Sequence, residues 1–252
     1  MAIYCREDWR RFVYTWGLAR DLTGDCLELG ANPYFTTMLL AEFTQLRLTL
    51  ANYFGPQFPP VAEQIILYTS RAGEQCSKKT TFHHFNTESE RFPFGDSTFD
   101  CVLFCEIIEH LQMDPVAVLR EIKRVLRPHG RLILTTPNVA RLENVARLVS
   151  GANIYDPYSG YGPYGRHNRE YTRHDLFLLL DYCGFELEVM FTADVHENRA
   201  GSFVDVNRLV DLVEFRREDL GQYIFVRCQS TKPAKTKKPL FLYRSYHPSE
   251  LE

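Results

Sequence analysis

The segment Phe99–Leu111, FDCVLFCEIIEHL, joins an apolar run to a group of charged residues. The run Phe99–Cys105 predicts a buried strand, because it is short, apolar and rich in bulky side chains. Glu106, Glu109 and His110 come directly after it. Ligands of open α/β sheets bind at the carboxyl ends of the strands, so this segment predicts a central strand and a site at its end.

The regions on both sides of this segment alternate between strand and helix patterns. A helix is expected over 114–126, since Pro115 lies near its start and Pro128 follows its end. Further strands are expected at 26–30, 47–52, 84–86, 131–136, 185–191 and 223–228, further helices at 3–22, 34–43 and 175–182, and either a strand or a helix at 65–68. This alternation predicts an α/β fold with a doubly wound, mostly parallel sheet.

The amino-acid composition is typical of a globular protein. The chain has 252 residues, of which 45% are apolar and 24% charged, which excludes collagen-like and wholly disordered chains. No apolar run approaches the roughly 20 residues that a membrane span needs, and the N-terminus carries charges where a secretion signal is apolar, so we expect a cytoplasmic protein without a membrane span. A net charge of −3 gives no long-range attraction for nucleic acid.

A second strand-to-helix junction, Leu27–Pro33, reads LELGANP. Gly30 would let the backbone approach a ligand, and Glu28 could bind an amino group. A plain strand-to-helix turn is the alternative interpretation.

Three longer segments carry a family resemblance: Glu90–Leu111, Leu119–Leu134 and Thr136–Asn138. In this order and spacing they resemble the class I S-adenosylmethionine-dependent methyltransferases, over about residues 24–190. The resemblance implies a seven-stranded sheet with a reversed last hairpin. It also implies that S-adenosylmethionine lies across the carboxyl ends of the first strands.

The resemblance further implies a set of cofactor-binding residues. Glu28 would face the methionine ammonium group, and Gly30 would allow close approach. Asn52 stands where the family usually has an acid for the ribose hydroxyls. The complete set is Glu28, Gly30, Asn32, Asn52, Asn86, Thr87, Cys105 and Glu106.

A metal site is expected next to the cofactor. Glu106, Glu109 and His110 would share a face if a helical turn follows the strand, and two carboxylates with an imidazole suit divalent Mg, Mn or Co. These residues resemble the metal site of the small-RNA 3′-terminal 2′-O-methyltransferases, which implies His167 as a further ligand. A metal-free pocket with a histidine base, or a purely structural role, are the alternatives.

The expected reaction is methylation of a hydroxyl of a sugar or glycan. A sugar hydroxyl is a poor nucleophile, so it needs a metal or a base, and His110, His167 and Glu109 are the candidate catalytic residues. An RNA 3′-terminal 2′-O-methyltransferase is one alternative. A catalytically silent cofactor-binding protein is the other.

One methyltransferase domain is expected over residues 1–228. It would begin with an N-terminal helix at 1–22, in which Trp9 and Trp16 pack into the core. The Gly- and Tyr-rich residues 150–172 are expected to form an acceptor-side loop that closes over the substrate. The polar, basic residues 229–252 are expected to form a flexible tail.

Overall fold

A computed structural model describes residues 2–70 and 72–252. Met1, the first residue of the predicted N-terminal helix, lies outside the described residues. The α-helices are α1 (Ala2–Ala19), α2 (Phe35–Phe43), α3 (Pro115–Val125), α4 (Leu142–Val149), α5 (Arg173–Tyr182) and α6 (Asn207–Val213). The strands are β1 (Thr23–Leu29), β2 (Gln45–Asn52), β3 (Val61–Thr69), β4 (Gln75–His84), β5 (Phe99–Cys105), β6 (Leu126–Pro137), β7 (Phe185–Ala193) and β8 (Tyr223–Ser230).

The strands of the described residues form one sheet in the order β3-β4-β2-β1-β5-β6-β8-β7. The five strands from β4 to β6 run parallel to one another, whereas β8 is antiparallel to both β6 and β7. This confirms the predicted mostly parallel α/β sheet, and the last hairpin is reversed as the resemblance implies. The sheet has eight strands rather than seven, because β3 adds an antiparallel strand at one edge.

The central strands are buried on both faces of the sheet. Leu27 and Phe104 pack into the core on one face, where Leu119 and Ile122 of α3 cover them. Leu103 belongs to a second cluster on the other face. Burial on both faces is why these parallel strands are almost continuously apolar in sequence. Asp114 caps α3 by accepting a hydrogen bond from the backbone N–H of Ala117 at 3.0 Å.

The edge of the sheet differs from the prediction. Of the strand expected at 84–86, only His84 lies in a strand: it is the last residue of β4, which begins at Gln75 and pairs along its length with β3. The start of β4 is polar and its neighbour β3 has every second residue exposed. A half-exposed edge hairpin has no continuous apolar run, so the sequence pattern gives little signal for it.

The C-terminal residues also differ from the expected flexible tail. The hydroxyl of Tyr243 donates to Asp114 at 2.7 Å, and the Tyr243 side chain is buried in the main core. Lys238 forms an ion pair with the same carboxylate. Arg120 donates to the carbonyl oxygens of Lys235 and Lys237. The tail therefore packs against α3, because its few aromatic and basic side chains find partners there.

None of the described helices is both long and apolar enough to cross a membrane.

Candidate functional site

Two adjoining cavities open at the carboxyl ends of the parallel strands. The larger cavity has a volume of about 460 Å³ and the smaller one about 180 Å³. Gly30, Glu106 and His110 line both of them. One extended ligand could therefore reach from one cavity into the other.

Gly30 lies at the point where the cavities meet. Its φ is +65°, and a Cβ added there would come within 2.9 Å of the Ile107 side chain. Both properties favour glycine, because other residues rarely adopt this backbone conformation.

Glu28 lies in the wall of the larger cavity, at the end of β1. The side chain is buried, and its Oε2 accepts a hydrogen bond from the Thr37 hydroxyl at 2.7 Å. Burial raises the pKa of Glu28 to about 7. Asn32 lines the same cavity. A cationic group bound beside Glu28 would lower this pKa again and favour the charged carboxylate.

The smaller cavity contains the predicted ribose and adenine residues. Asn52 is buried, and its Oδ1 accepts a hydrogen bond from the backbone N–H of Asn32 at 2.8 Å. Asn86 and Thr87 line the same cavity, and the Asn86 amide donates to the hydroxyl of Tyr164 at 3.3 Å. The ends of β2 and β4 thus bring together residues that are distant in sequence.

The structure separates Glu106 from the other predicted metal ligands. Its Oε2 lies 2.7 Å from a guanidinium nitrogen of Arg11, and its Oε1 accepts a hydrogen bond from the Thr135 hydroxyl at 2.7 Å. The φ of Glu106 is +55°, so no helical turn runs through this residue. The expectation that helical spacing places Glu106 on one face with Glu109 and His110 is therefore not met. Cys105 lines the cavity as expected, and burial raises the pKa of its thiol.

Glu109, His110 and His167 form a compact cluster at the larger cavity. Their potential ligand atoms all lie within 4.8 Å of one another. A short 3₁₀ turn, Ile108–His110, positions the first two residues. The loop that carries His167 is held to this turn, since the N–H groups of Asn168 and Arg169 both donate to the carbonyl oxygen of Glu109.

Both histidines of this cluster have one ring nitrogen engaged. His110 donates from Nδ1 to the carbonyl oxygen of Arg166 at 3.0 Å. His167 donates from Nδ1 to a carboxylate oxygen of Glu170 at 2.8 Å. A carbonyl or carboxylate only accepts, so Nδ1 carries a proton in both rings, and in the neutral form of each ring Nε2 is available as a ligand or a base.

The charges of the cluster follow from its burial. Burial lowers the pKa of His110, so this ring is neutral near pH 7. Burial also opposes the charged form of His167, but the hydrogen bond to Glu170 and the charge of Glu109 outweigh it and raise the pKa of this ring. Glu170 is itself ion-paired with Arg141.

Glu109 is the most buried member of the cluster. Its side chain is 0% exposed, and burial, with the nearby charge of Glu106, raises its pKa well above the usual range. Its Oε2 accepts a hydrogen bond from the Thr136 hydroxyl at 2.9 Å. Its Oε1 has no hydrogen-bond partner among the described residues and lies 3.9 Å from Nε2 of His110. An unpartnered buried carboxylate oxygen is unfavourable, so its position beside two imidazoles fits a cation-binding site.

The sequence patterns did not identify three residues that line the larger cavity. Asp8 and Arg11 come from α1 and lie 3.2 Å apart, and His196 follows β7 at 3.7 Å from Asp8. For Asp8 and Arg11 the sequence signal is limited to charged residues within the amphipathic pattern of α1. Such residues are ordinary in an exposed helix.

The acceptor-side loop carries exposed aromatic rings. Tyr155, Tyr158 and Tyr161 are largely exposed, whereas Tyr164 lines the smaller cavity. Tyr171 is fully buried and contributes to the core.

Comparison with known families gives one match. Residues 62–134 match the model of a family described as "Methyltransferase domain". This range contains β5, the Glu109–His110 turn and α3. A comparison with curated proteins finds no match.

Solved structures share the fold at low sequence identity. A SAM-dependent methyltransferase from Thermotoga maritima is 15% identical, with 91% of this chain and 95% of that chain covered at a TM-score of 0.52. A SAM-dependent methyltransferase from Archaeoglobus fulgidus is 12% identical, with 90% and 98% covered at a TM-score of 0.51. The 1,6-didemethyltoxoflavin-N1-methyltransferase from Burkholderia thailandensis, solved with S-adenosylhomocysteine, is 16% identical, with 90% and 82% covered at a TM-score of 0.50. The family match indicates a methyltransferase domain, and the solved structures show that this chain shares its fold with S-adenosylmethionine-dependent methyltransferases.

Proposed function

We propose that this S-adenosylmethionine-dependent methyltransferase methylates a hydroxyl of a sugar or glycan, and that a divalent metal assists. The observation that carries the proposal is the cluster of Glu109, His110 and His167. It combines two imidazoles whose Nε2 atoms are available with a buried carboxylate oxygen that has no partner.

The two adjoining cavities support the cofactor part of the proposal. S-adenosylmethionine supplies the electrophilic methyl group, so the protein has to bind it and align the acceptor. Glu28 binds the ammonium group, because a buried carboxyl with a raised pKa gains its charge when a cation arrives. Gly30 leaves space for the backbone to contact the cofactor. Asn52 binds the ribose hydroxyls as a neutral partner, and Asn86 and Thr87 meet the adenine.

The chemistry of the cluster favours a hydroxyl acceptor over an amine. An amine is already nucleophilic near neutral pH, whereas a sugar hydroxyl has to lose its proton to react. The donor set of one carboxylate and two imidazoles fits Mn or Co, and also Mg with water completing its shell. A divalent cation held by these residues would supply Lewis acidity to the acceptor oxygen.

Residues around the cluster orient its three side chains and set the tautomer of its two imidazole rings. The Arg166 carbonyl and Glu170 hold the two rings through Nδ1, and Thr136 holds Glu109 through Oε2. Such outer contacts orient ligands and select the tautomer that offers Nε2. Without a metal, neutral His110 could accept the acceptor proton at Nε2, and the effect of a chelator separates these two mechanisms.

The acceptor-side loop supports a saccharide substrate. Tyr155, Tyr158 and Tyr161 present exposed rings, and the loop leads directly into His167. Aromatic rings stack well on the apolar faces of sugars. We propose that this loop closes over the acceptor when it binds.

The test is transfer of a labelled methyl group from S-adenosylmethionine. The acceptors would be a panel of mono- and oligosaccharides and a single-stranded RNA with a free 3′-terminal ribose, with Mg, Mn or Co present. The proposal expects labelled sugars, and loss of labelling in Glu109→Gln while S-adenosylhomocysteine still binds. Labelling of RNA alone, with the strong salt dependence of a phosphate-binding protein, would contradict the sugar acceptor. Cofactor binding without labelling of any acceptor would support a catalytically silent protein instead.

A further inference from the structure

A polar groove adjoins the larger cavity on the side of α1. It has a volume of about 770 Å³ and lies between α1 and residues 195–199, which follow β7. Glu7 and His196 line both the groove and the larger cavity. A molecule with one end in the larger cavity can therefore extend into the groove.

The groove contains charged side chains without ion-pair partners. Arg6, Arg10 and Arg199 are exposed, and no carboxylate of the described chain lies within ion-pair distance of their guanidinium groups. Glu7 and Glu197 line the same groove, and neither forms an ion pair with a described cation. The groove therefore offers a ligand both guanidinium donors and carboxylate acceptors that are not paired with each other.

Trp9 gives the groove an aromatic surface. The sequence pattern predicts this residue in the core, but 52% of it is exposed, and it lines the groove beside Arg6 and Arg10. An exposed tryptophan buries a large area when a ligand covers its ring. Its exposure beside an active-site cavity is a reason to expect such a ligand.

The wall between groove and cavity is held in place by buried hydrogen bonds. Gln222 is buried, and its side-chain oxygen accepts hydrogen bonds from the N–H groups of Val195 and His196 at 2.9 and 2.8 Å. The His196 ring donates from Nδ1 to the carbonyl oxygen of Glu7 at 3.1 Å. A wall fixed in this way needs little ordering when a ligand binds.

We infer that this groove binds a second sugar unit of the acceptor, so that the substrate is an oligosaccharide whose reacting unit lies in the larger cavity. This inference rests on the proposed sugar methylation and extends it. Each sugar hydroxyl both donates and accepts hydrogen bonds, so it matches a surface that offers guanidinium donors together with carboxylate acceptors. The pyranose face matches Trp9.

The two tryptophans of the chain make the test direct. Trp9 lies in the groove, whereas Trp16 is partly buried and its indole nitrogen is enclosed. Indole N–H signals would be followed by NMR in protein saturated with S-adenosylhomocysteine. The probes would be neutral di- and trisaccharides with α- or β-linked glucose, galactose, mannose and rhamnose. We expect at least one probe to shift the Trp9 signal saturably and to leave the Trp16 signal in place.

Charge variants connect this signal to the groove. Arg10→Gln and Arg199→Gln should each weaken the responding saccharide by about tenfold, the worth of one hydrogen bond to a charged group. Arg20→Gln is the matched control, because Arg20 is exposed, lies just beyond α1 and does not line the groove. It should leave the affinity unchanged.

Two results would overturn the inference: no probe moves the Trp9 signal, or the groove variants bind the responding saccharide as tightly as Arg20→Gln does. Methyl transfer separates these failures from a failure of the proposed function. Saccharide binding at Trp9 without methyl transfer to any sugar would refute the function and keep the groove. Equal kcat/KM for monosaccharides and oligosaccharides, with an unmoved Trp9 signal, would refute the groove and keep the function.

Discussion

The imidazole rings of His110 and His167 lie 5.0 Å apart at an angle of 75°, although one follows β5 and the other belongs to a distant loop. Each ring has its Nδ1 engaged by an oxygen of the protein. The loop is held to the Glu109–His110 turn by two backbone hydrogen bonds. This relationship gives the cavity two available imidazole nitrogens beside the unpartnered oxygen of Glu109.

Removing either imidazole should stop catalysis and leave the cofactor bound. For His110→Ala and His167→Ala we expect turnover to fall by about a hundredfold or more, in the range typical for loss of a group that manages the acceptor proton. S-adenosylhomocysteine affinity, measured by calorimetry, should stay within a few-fold for His167→Ala, because this residue does not line the smaller cavity, where we propose that the ribose and adenine bind. His174→Ala is the control, since His174 is exposed on α5. Equal turnover in His167→Ala and the control would refute a role for His167.

Glu170 acts through His167 and should behave as a positioning residue. Glu170→Gln removes the carboxylate that holds Nδ1 of His167, so we expect about a ten- to hundredfold loss of Mn affinity, measured by electron paramagnetic resonance. The pKa of His167, followed by NMR in metal-free protein, should also fall, because Glu170 contributes to raising it. An unchanged His167 pKa with unchanged Mn affinity would refute this role.

Cofactor binding should depend on pH through Glu28. Its pKa of about 7 in the free protein lies above the usual value, so the carboxyl is largely protonated at pH 6 and charged at pH 8. An ammonium group selects the charged form, so the affinity for S-adenosylhomocysteine should rise with pH through 7, with proton uptake by the buffer. For the free protein the sign is opposite. A raised carboxyl pKa contributes stability below the unfolded value of about 4.3, which is lost as pH rises through the folded pKa.

Calorimetry at pH 6 and pH 8 would measure this dependence, and Glu28→Gln provides its control. The glutamine variant should bind the cofactor weakly and with little change between the two pH values. A wild-type affinity that stays constant over this range would show that Glu28 does not receive the ammonium group.

Gly30 should tolerate no β-branched side chain. At a φ of +65°, with a built Cβ 2.9 Å from the Ile107 side chain, Gly30→Val both strains the backbone and fills the junction of the two cavities. We expect no detectable S-adenosylhomocysteine binding by a thermal-shift assay. Gly17→Val is the control, because no atom of the described residues, apart from its own helix and chain neighbours, would lie within 4 Å of a Cβ there. Cofactor binding by folded Gly30→Val at wild-type affinity would contradict the placement of the cofactor.

The sequence predicts the centre of this fold better than its edges. The observed bounds of β5, Phe99–Cys105, are the predicted ones, because a strand buried on both faces is apolar throughout. The β3–β4 hairpin depends on pairing at an exposed edge, and the tail depends on contacts between Tyr243 and Asp114. Contacts between residues that are distant in sequence cannot be predicted from the local pattern of apolar and polar residues.

The candidate site shows the same division. Glu109, His110 and His167 could be selected from their residue types and from the resemblance, and the structure brings them together. Helical spacing predicts Glu106 in the same cluster, but the positive φ of Glu106 excludes the helical turn on which that prediction depends. Arg11 could not be predicted as its partner, because that contact depends on how α1 packs across the strand ends.

The most direct test of metal-assisted methyl transfer is the initial rate on a verified saccharide acceptor in excess chelator, before and after Mg, Mn or Co is added back. The proposed function predicts that the rate is lost in chelator and restored by at least one of these metals, because Glu109, His110 and His167 would offer a cation two imidazole nitrogens and a carboxylate oxygen. Full activity in excess chelator would contradict the account and leave neutral His110 as the base. In that case the rate should fall only below the pKa of this ring, which burial lowers from its usual value.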